Sequence, residues 1–207
     1  MSWDKFLSST QSSESPRNQG NEDGGFLSSV TSCNTAFFGA GVIASDTGFF
    51  LNNEMDNFTA KVGSSNSYGL LQGSANQIEP GKQPLSSMAT TIVLDQNQDF
   101  YFATGSPGGS TIPTTVFQTL VNLIDFEMTA SEAVNQPRTH YQGSPNIVLT
   151  EPLGLPGQTF VDLWDYGYRV SPFINWGAAM SVGKQGNEIQ PILDTRRPQG
   201  KATAIHE

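Results

Sequence analysis

The stretch Ala89-Thr-Thr-Ile-Val-Leu-Asp-Gln-Asn-Gln-Asp-Phe-Tyr-Phe-Ala-Thr-Gly-Ser-Pro-Gly-Gly-Ser110 decides the fold. Two runs of β-branched and aromatic residues, Ala89 to Leu94 and Phe100 to Thr104, flank the polar segment from Asp95 to Asp99, a pattern that predicts a hairpin. Beyond the glycines, Val116, Phe117, Leu120, Val121 and Ile124 recur at helical spacing. Pro113 stands in the first turn of that helix, where a missing N–H is harmless. A hairpin leading into a helix, among short apolar segments punctuated by Gly, Pro and Asn, predicts a sheet-rich α+β domain with a few helices.

Outward from this segment the texture repeats. Ala178 to Val182 and Glu188 to Leu193 flank Gly183-Lys-Gln-Gly-Asn187 and predict a second hairpin. Asn146 to Thr150 and Tyr168 to Phe173 are further strand candidates. Thr129-Ala-Ser-Glu132 has the spacing of a capping box, with its helix stopped at Pro137, and a short helix from Thr159 to Tyr166 ends at Gly167. From Ser8 to Gly25 the chain is Ser, Gln, Asn, Glu and Gly with almost nothing apolar, too little to offset the entropy of ordering. The expected division is therefore a polar arm over 1–25 and one domain over 26–207.

Composition narrows the function classes. The 207 residues carry a formal charge of -9, with Lys and Arg nowhere clustered, which disfavours nucleic acid and anionic membrane surfaces as partners. One cysteine, Cys33, excludes an internal disulfide framework and a multi-cysteine zinc site. No apolar run approaches the roughly 20 residues of a spanning helix, and the first residues lack the apolar core of an export signal. His140 and His206 have no cysteine or carboxylate constellation beside them, so neither is assigned to a metal or a triad, and no metal or cofactor is expected. Arg138 and Arg196 are assigned to holding carboxylates structurally, exposed pairs being the ordinary case.

Three polar stretches stand apart from this filler: Leu51-Asn-Asn-Glu-Met-Asp-Asn-Phe58, Pro84-Leu-Ser-Ser-Met88 and Gly105-Ser-Pro-Gly-Gly-Ser110. Singly, each reads as an ordinary turn. Together and in this order, with Phe38-Gly-Ala-Gly41, Glu79-Pro-Gly-Lys82, Glu132-Ala-Val, Pro137-Arg138, His140 and Asp194-Thr-Arg-Arg197, they resemble the small, C-terminal subunit of the gamma-glutamyltranspeptidases. The resemblance runs from about Asp23 to Ala204. It implies half of a four-layer αββα N-terminal nucleophile hydrolase sandwich. It also implies transfer of a gamma-glutamyl group to water or an amine through an acyl-enzyme. The implied partner is a separate large subunit carrying the rest of the sheet and a substrate-binding arginine, or self-association through the sheet left exposed. Family members often work outside the cytoplasm, but the chain itself leaves the compartment open.

The implied roles agree with the chemistry of a gamma-glutamyl donor. Ser86 and Ser87 can donate hydroxyl bonds to its α-carboxylate. Glu54 can accept from its α-ammonium, while Asn52 and Asn53 shape the same turn. Gly108 and Gly109, lacking side chains, can bring backbone N–H groups to a developing oxyanion beside a helix start. A phosphate loop would need a Gly-Lys-Ser/Thr ending, which is absent.

Three departures qualify the resemblance. The family's nucleophile opens a Thr-Thr-His stretch, and none occurs here: Thr90-Thr91 and Thr114-Thr115 are followed by Ile and Val. Gapless projection of the family spacing from Gly39 reaches Ser15, the substitute nucleophile candidate, so the arm stands where the family's nucleophile segment would be. Asn57 occupies the place of a family aspartate that shares the ammonium, which opens the site to acyl groups lacking an amine. Asn34 is matched to the family's asparagine upstream of the Phe-Gly pair. These departures leave two alternatives to a gamma-glutamyl-transferring subunit: an inactive light chain serving as a binding or assembly module, and an acylase for amine-free acyl groups.

Overall fold

A computed structural model describes residues 39–174, 176–186 and 188–197. The polar arm, Ser15, Cys33, Asn34 and His206 lie outside the described residues. Among the described residues, seven strands and three α-helices follow one another as β1 (Thr91–Leu94), β2 (Phe100–Gly105), α1 (Thr111–Ile124), α2 (Ala130–Asn135), β3 (Thr139–His140), β4 (Ile147–Thr150), α3 (Gly157–Asp165), β5 (Arg169–Pro172), β6 (Met180–Gln185) and β7 (Glu188–Ile192). They form a four-stranded antiparallel sheet in the order β1-β2-β6-β7 and a three-stranded sheet in the order β3-β4-β5. The β4–β5 pair is parallel, joined through α3, and the other pairs are antiparallel.

The hairpin of the decisive stretch forms as its pattern predicts. Thr91 faces Thr104 and Val93 faces Phe102, with a register shift after Val93. Asp95 builds the turn: its Oδ1 accepts from the N–H groups of Asn97 (2.8 Å) and Asp99 (3.0 Å). In the second hairpin the chain departs from expectation. Strand β6 continues through Gly183 to Gln185 and β7 begins at Glu188, so the connection between them is shorter than the five residues expected. Gly183 belongs in the strand because α2 lies close above it. A Cβ there would stand 3.3 Å from the Ala130 Cβ and 3.4 Å from a Phe102 ring carbon.

Helix α2 starts at the expected capping box, with Thr129 and Glu132 each bonding the other's backbone N–H. Helices α1 and α2 cover one face of the four-stranded sheet. Val93, Phe102, Val116, Leu120, Leu123, Ala133, Val134 and Ala179 form the buried core between these layers. Of the five apolar residues that mark α1 in the sequence, Val116 and Leu120 are buried, Val121 and Ile124 half-buried and Phe117 exposed, while Ile112 and Leu123 are buried as well. The opposite face of the sheet is apolar and, among the described residues, uncovered: the aligned row Ile92, Ala103, Val182 and Pro191 is flanked by the exposed Met180 and Ile189. No helix of the described residues is long and apolar enough to cross a membrane.

Candidate active site

The three polar stretches converge through one intervening segment, residues 58–77, whose role the sequence does not announce. Glu54–Asn57 forms one turn of 3-10 helix, in which Asn52 Oδ1 accepts from the Glu54 N–H at 3.0 Å and Asn53 donates to Asp56 at 2.8 Å. Asn57 turns its amide back onto Glu54, donating from Nδ2 to Oε1 at 2.7 Å. Asn76 then joins this turn to the serines. Its Nδ2 donates to the Asn57 carbonyl (2.7 Å), and its Oδ1 accepts from the Leu85 N–H (3.0 Å), immediately before Ser86. One amide side chain thereby fixes the spacing between the Glu54 turn and the Ser86–Ser87 stretch, each Asn76 bond satisfying a backbone group that water would otherwise have to serve. Ser86 is exposed and Ser87 half-buried, and Ser86 Oγ accepts from the Met88 N–H at 3.2 Å, a bond that leaves the hydroxyl proton for another acceptor.

The glycine turn leads into α1. The Gly108 and Gly109 carbonyls accept from the N–H groups of Thr111 (3.2 Å) and Ile112 (3.1 Å), so both residues belong to the helix start and its positive dipole end. Their dihedral angles require glycine, with φ of 137° and 58°. Space requires it as well. A Cβ on Gly108 would meet Thr111 Oγ1 at 2.5 Å, and one on Gly109 would fall within the ring of Tyr68. Tyr68 belongs to the same 58–77 segment that carries Asn76, so this segment touches all three polar stretches.

Behind the glycine turn stands a buried charge network. Gly177 packs so tightly beneath Pro107 that any Cβ would collide with the Pro107 carbonyl. The Gly177 carbonyl accepts from Arg138 Nη1 at 2.6 Å, and Arg138 Nη2 meets Asp194 Oδ2 at 2.6 Å. Asp194 also accepts from the N–H groups of Ala179 (2.6 Å) and Arg196 (3.0 Å). Arg196 in turn grips Glu151 with a two-pronged bond of 2.7 and 2.5 Å. Burial alone would raise the Asp194 carboxyl, but the Arg196 N–H, the Arg138 charge and the Ala179 N–H together hold it below the usual carboxylate range. Burial, with the Arg196 charge beside it, lowers the Arg138 guanidinium. These arginines hold carboxylates, as expected of them, but Arg138 and Asp194 do so in the interior and not at an exposed pair.

His140 is buried and hydrogen-bonded, with Thr114 Oγ1 2.8 Å from Nδ1 and Gln142 Oε1 3.0 Å from Nε2. Among the described residues no group of three or more His, Cys, Asp or Glu side chains could hold a metal ion. Replacing Gly177 by alanine is expected to push the Pro107 segment away and lower stability by about 1–3 kcal/mol, as overpacked positions do. Urea denaturation of the variant checks the loss, and an unchanged midpoint would show that the segment yields without strain.

The comparisons with known proteins fit this geometry. The gamma-glutamyltranspeptidase family model matches residues 20–204. The glutathione hydrolase proenzyme of Escherichia coli K12 is 46% identical over 177 residues, 84% of this chain and 30% of that protein. That of Pseudomonas sp. strain A14 is 42% identical over 170 residues, 81% of this chain and 29% of that protein. The chain thus spans about a third of the length of these curated relatives. The crystal structure of the T380A mutant of Helicobacter pylori gamma-glutamyltranspeptidase superposes with a TM-score of 0.76 at 38% identity, covering 86% of this chain and 97% of that one. These neighbours share the α+β, mainly antiparallel architecture expected for half of an N-terminal nucleophile hydrolase sandwich. The chain belongs to the gamma-glutamyltranspeptidase family.

Proposed function

We propose that this chain serves as the small-subunit portion of a gamma-glutamyltranspeptidase and binds the gamma-glutamyl group of glutathione or a related amide. The observation that carries the reading is the convergence of the three polar stretches on residues 58–77, through Asn76 and Tyr68. Glu54 receives the donor's α-ammonium, and the hydroxyls of Ser86 and Ser87 receive its α-carboxylate. The Gly108 and Gly109 N–H groups face the carbonyl oxygen as it gains charge, where prearranged donors are most effective. Asn34 is assigned to the same pocket, and Ser15 is the nucleophile candidate if the arm is cut there. The uncovered sheet face receives the large subunit.

The test is to incubate the purified chain, with and without a co-expressed large subunit, with a chromogenic gamma-glutamyl anilide, and to sequence its N-terminus. The expected result is anilide release only with the partner, together with a new N-terminal Ser or Thr. Release by neither preparation would favour the inactive light chain. In the active pair, Glu54→Ala is expected to raise KM about 10- to 100-fold, the worth of a hydrogen bond between charged groups.

One contact favours a second reading. The bond from Asn57 to Glu54 gives the turn an amide where a second carboxylate would double the pull on an ammonium. An acyl donor without the amine suits such a site better. A glutaryl anilide turned over faster than the gamma-glutamyl one would establish this acylase specificity.

A further inference from the structure

The Tyr68 turn is well made internally but thinly attached. Asn66 Oδ1 accepts from the N–H groups of Tyr68 and Leu70 at 3.0 Å each, and the Gly69 N–H bonds the Asn66 carbonyl at 3.0 Å. Among the described residues, its hydrogen bonds to the distant part of the chain come from one side chain. Gln142 Nε2 donates to the Tyr68 carbonyl at 2.7 Å across 74 residues of sequence, and to the Ser144 carbonyl at 3.1 Å. Two carbonyl acceptors fix which end of the Gln142 amide is nitrogen, so Oε1 is the end that faces His140 Nε2 at 3.0 Å. The histidine nitrogen must then carry the proton. In the neutral ring, Nδ1 is left as acceptor for the Thr114 hydroxyl at 2.8 Å, which then gives its one proton to the ring in place of the Thr111 carbonyl at 3.1 Å. Thr114 lies in the first turn of α1, the helix that the Gly108–Gly109 turn opens. Gln118 secures the same strand, with its amide bonding both the N–H and the carbonyl of Thr139.

We infer that Gln142, oriented by the buried His140, is a positioning residue: a latch that holds the Tyr68 turn against the Gly108–Gly109 turn. The tyrosine ring fills the space above Gly109, and Gly69 packs against Pro145 and Gln142, where a Cβ would stand 3.2 Å and 3.6 Å away. The chain of bonds runs from α1 through Thr114, His140 and Gln142 to Tyr68, so the helix whose start presents the glycine N–H groups also seats their cover. A cover held by one side chain can be released without unfolding the sheet beneath it. That the covered turn is an oxyanion site rests on the function proposed above; the latch itself does not.

Hydrogen exchange tests the latch on the full chain without any substrate. Gln142→Ala is expected to speed exchange of the amides at 66–72 by about tenfold while those of β2 and α1 keep their rates. Gln142→Glu keeps the acceptor for His140 but loses the donor to Tyr68, and is expected to do the same. Unchanged exchange at 66–72 in both Gln142 variants would overturn the proposal, as would acceleration spread evenly over the sheet. In a preparation that turns over the gamma-glutamyl anilide, Gln142→Ala is expected to raise KM more than it lowers kcat, and an unchanged KM would overturn the positioning role. A preparation with no turnover at all counts against the proposed function, and the exchange result still decides the latch.

Discussion

Replacing Arg138 with leucine is expected to lower stability by about 3–5 kcal/mol, the usual cost of removing one partner from a buried ion pair. The magnitude follows from what would be stranded. Asp194, with its side chain 1% exposed, would keep two backbone N–H donors and the edge of Arg196 but lose the guanidinium at 2.6 Å. The Gly177 carbonyl would lose its donor as well. Urea denaturation at neutral pH measures the loss, and a drop below about 1 kcal/mol would show that Arg196 compensates by swinging onto Asp194. The same network fixes a pH dependence. Because the folded-state pKa of Asp194 is depressed, its contribution is complete above the unfolded carboxyl value near 4 and is lost as pH falls through the lower folded value. The midpoint should therefore decline on acidification below about pH 4, and by less in the Arg138→Leu variant.

Phe102→Ala should cost a similar amount, about 3–5 kcal/mol, for a different reason. Phe102 is fully buried at the centre of the interface between sheet and helices, and a Cβ added to its neighbour Gly183 would lie 3.4 Å from its ring. Strand and helix backbones on both sides are locked in register, so the cavity can close only partly. Phe117→Ala provides the comparison, since that side chain is 58% exposed, and it should change the urea midpoint little. Equal losses in the two variants would contradict the placement of the core.

The decisive stretch was legible because its signals are local. Asp95 closes its own turn, the glycines at 108 and 109 fit only a backbone that a Cβ would obstruct, and the Thr129–Glu132 pair caps its own helix. Gly183 misled because its absence of a side chain serves packing against Ala130 and not a turn, and a distant neighbour cannot be read from adjacent residues. Phe117 misled in the same way: five apolar residues marked the helix, but which of them faces inward depends on where the sheet lies. Within the candidate site, the residues that would touch a donor stood out by type and order. Those that hold them together did not. Asn76 reaches Asn57 and Leu85 across 19 and 9 residues, and Gln142 reaches Tyr68 across 74, with no periodicity or spacing to announce either. Arg138 was expected to hold a carboxylate, but its burial depends on Gly177 and Asp194, which lie 39 and 56 residues away.

That last separation bears on how the protein is made. Arg138 leaves the ribosome well before Asp194, and at about 5–20 residues per second the 56 intervening residues take roughly 3–11 seconds to follow. During that interval the Arg138 guanidinium has no carboxylate to pair with, the Val134 carbonyl has only Arg138 and not Arg196 as donor, and the floor beneath the glycine turn cannot close. The floor beneath the glycine turn is thus completed when the segment after β7 that carries Asp194 arrives, and not when the glycine turn itself is synthesised.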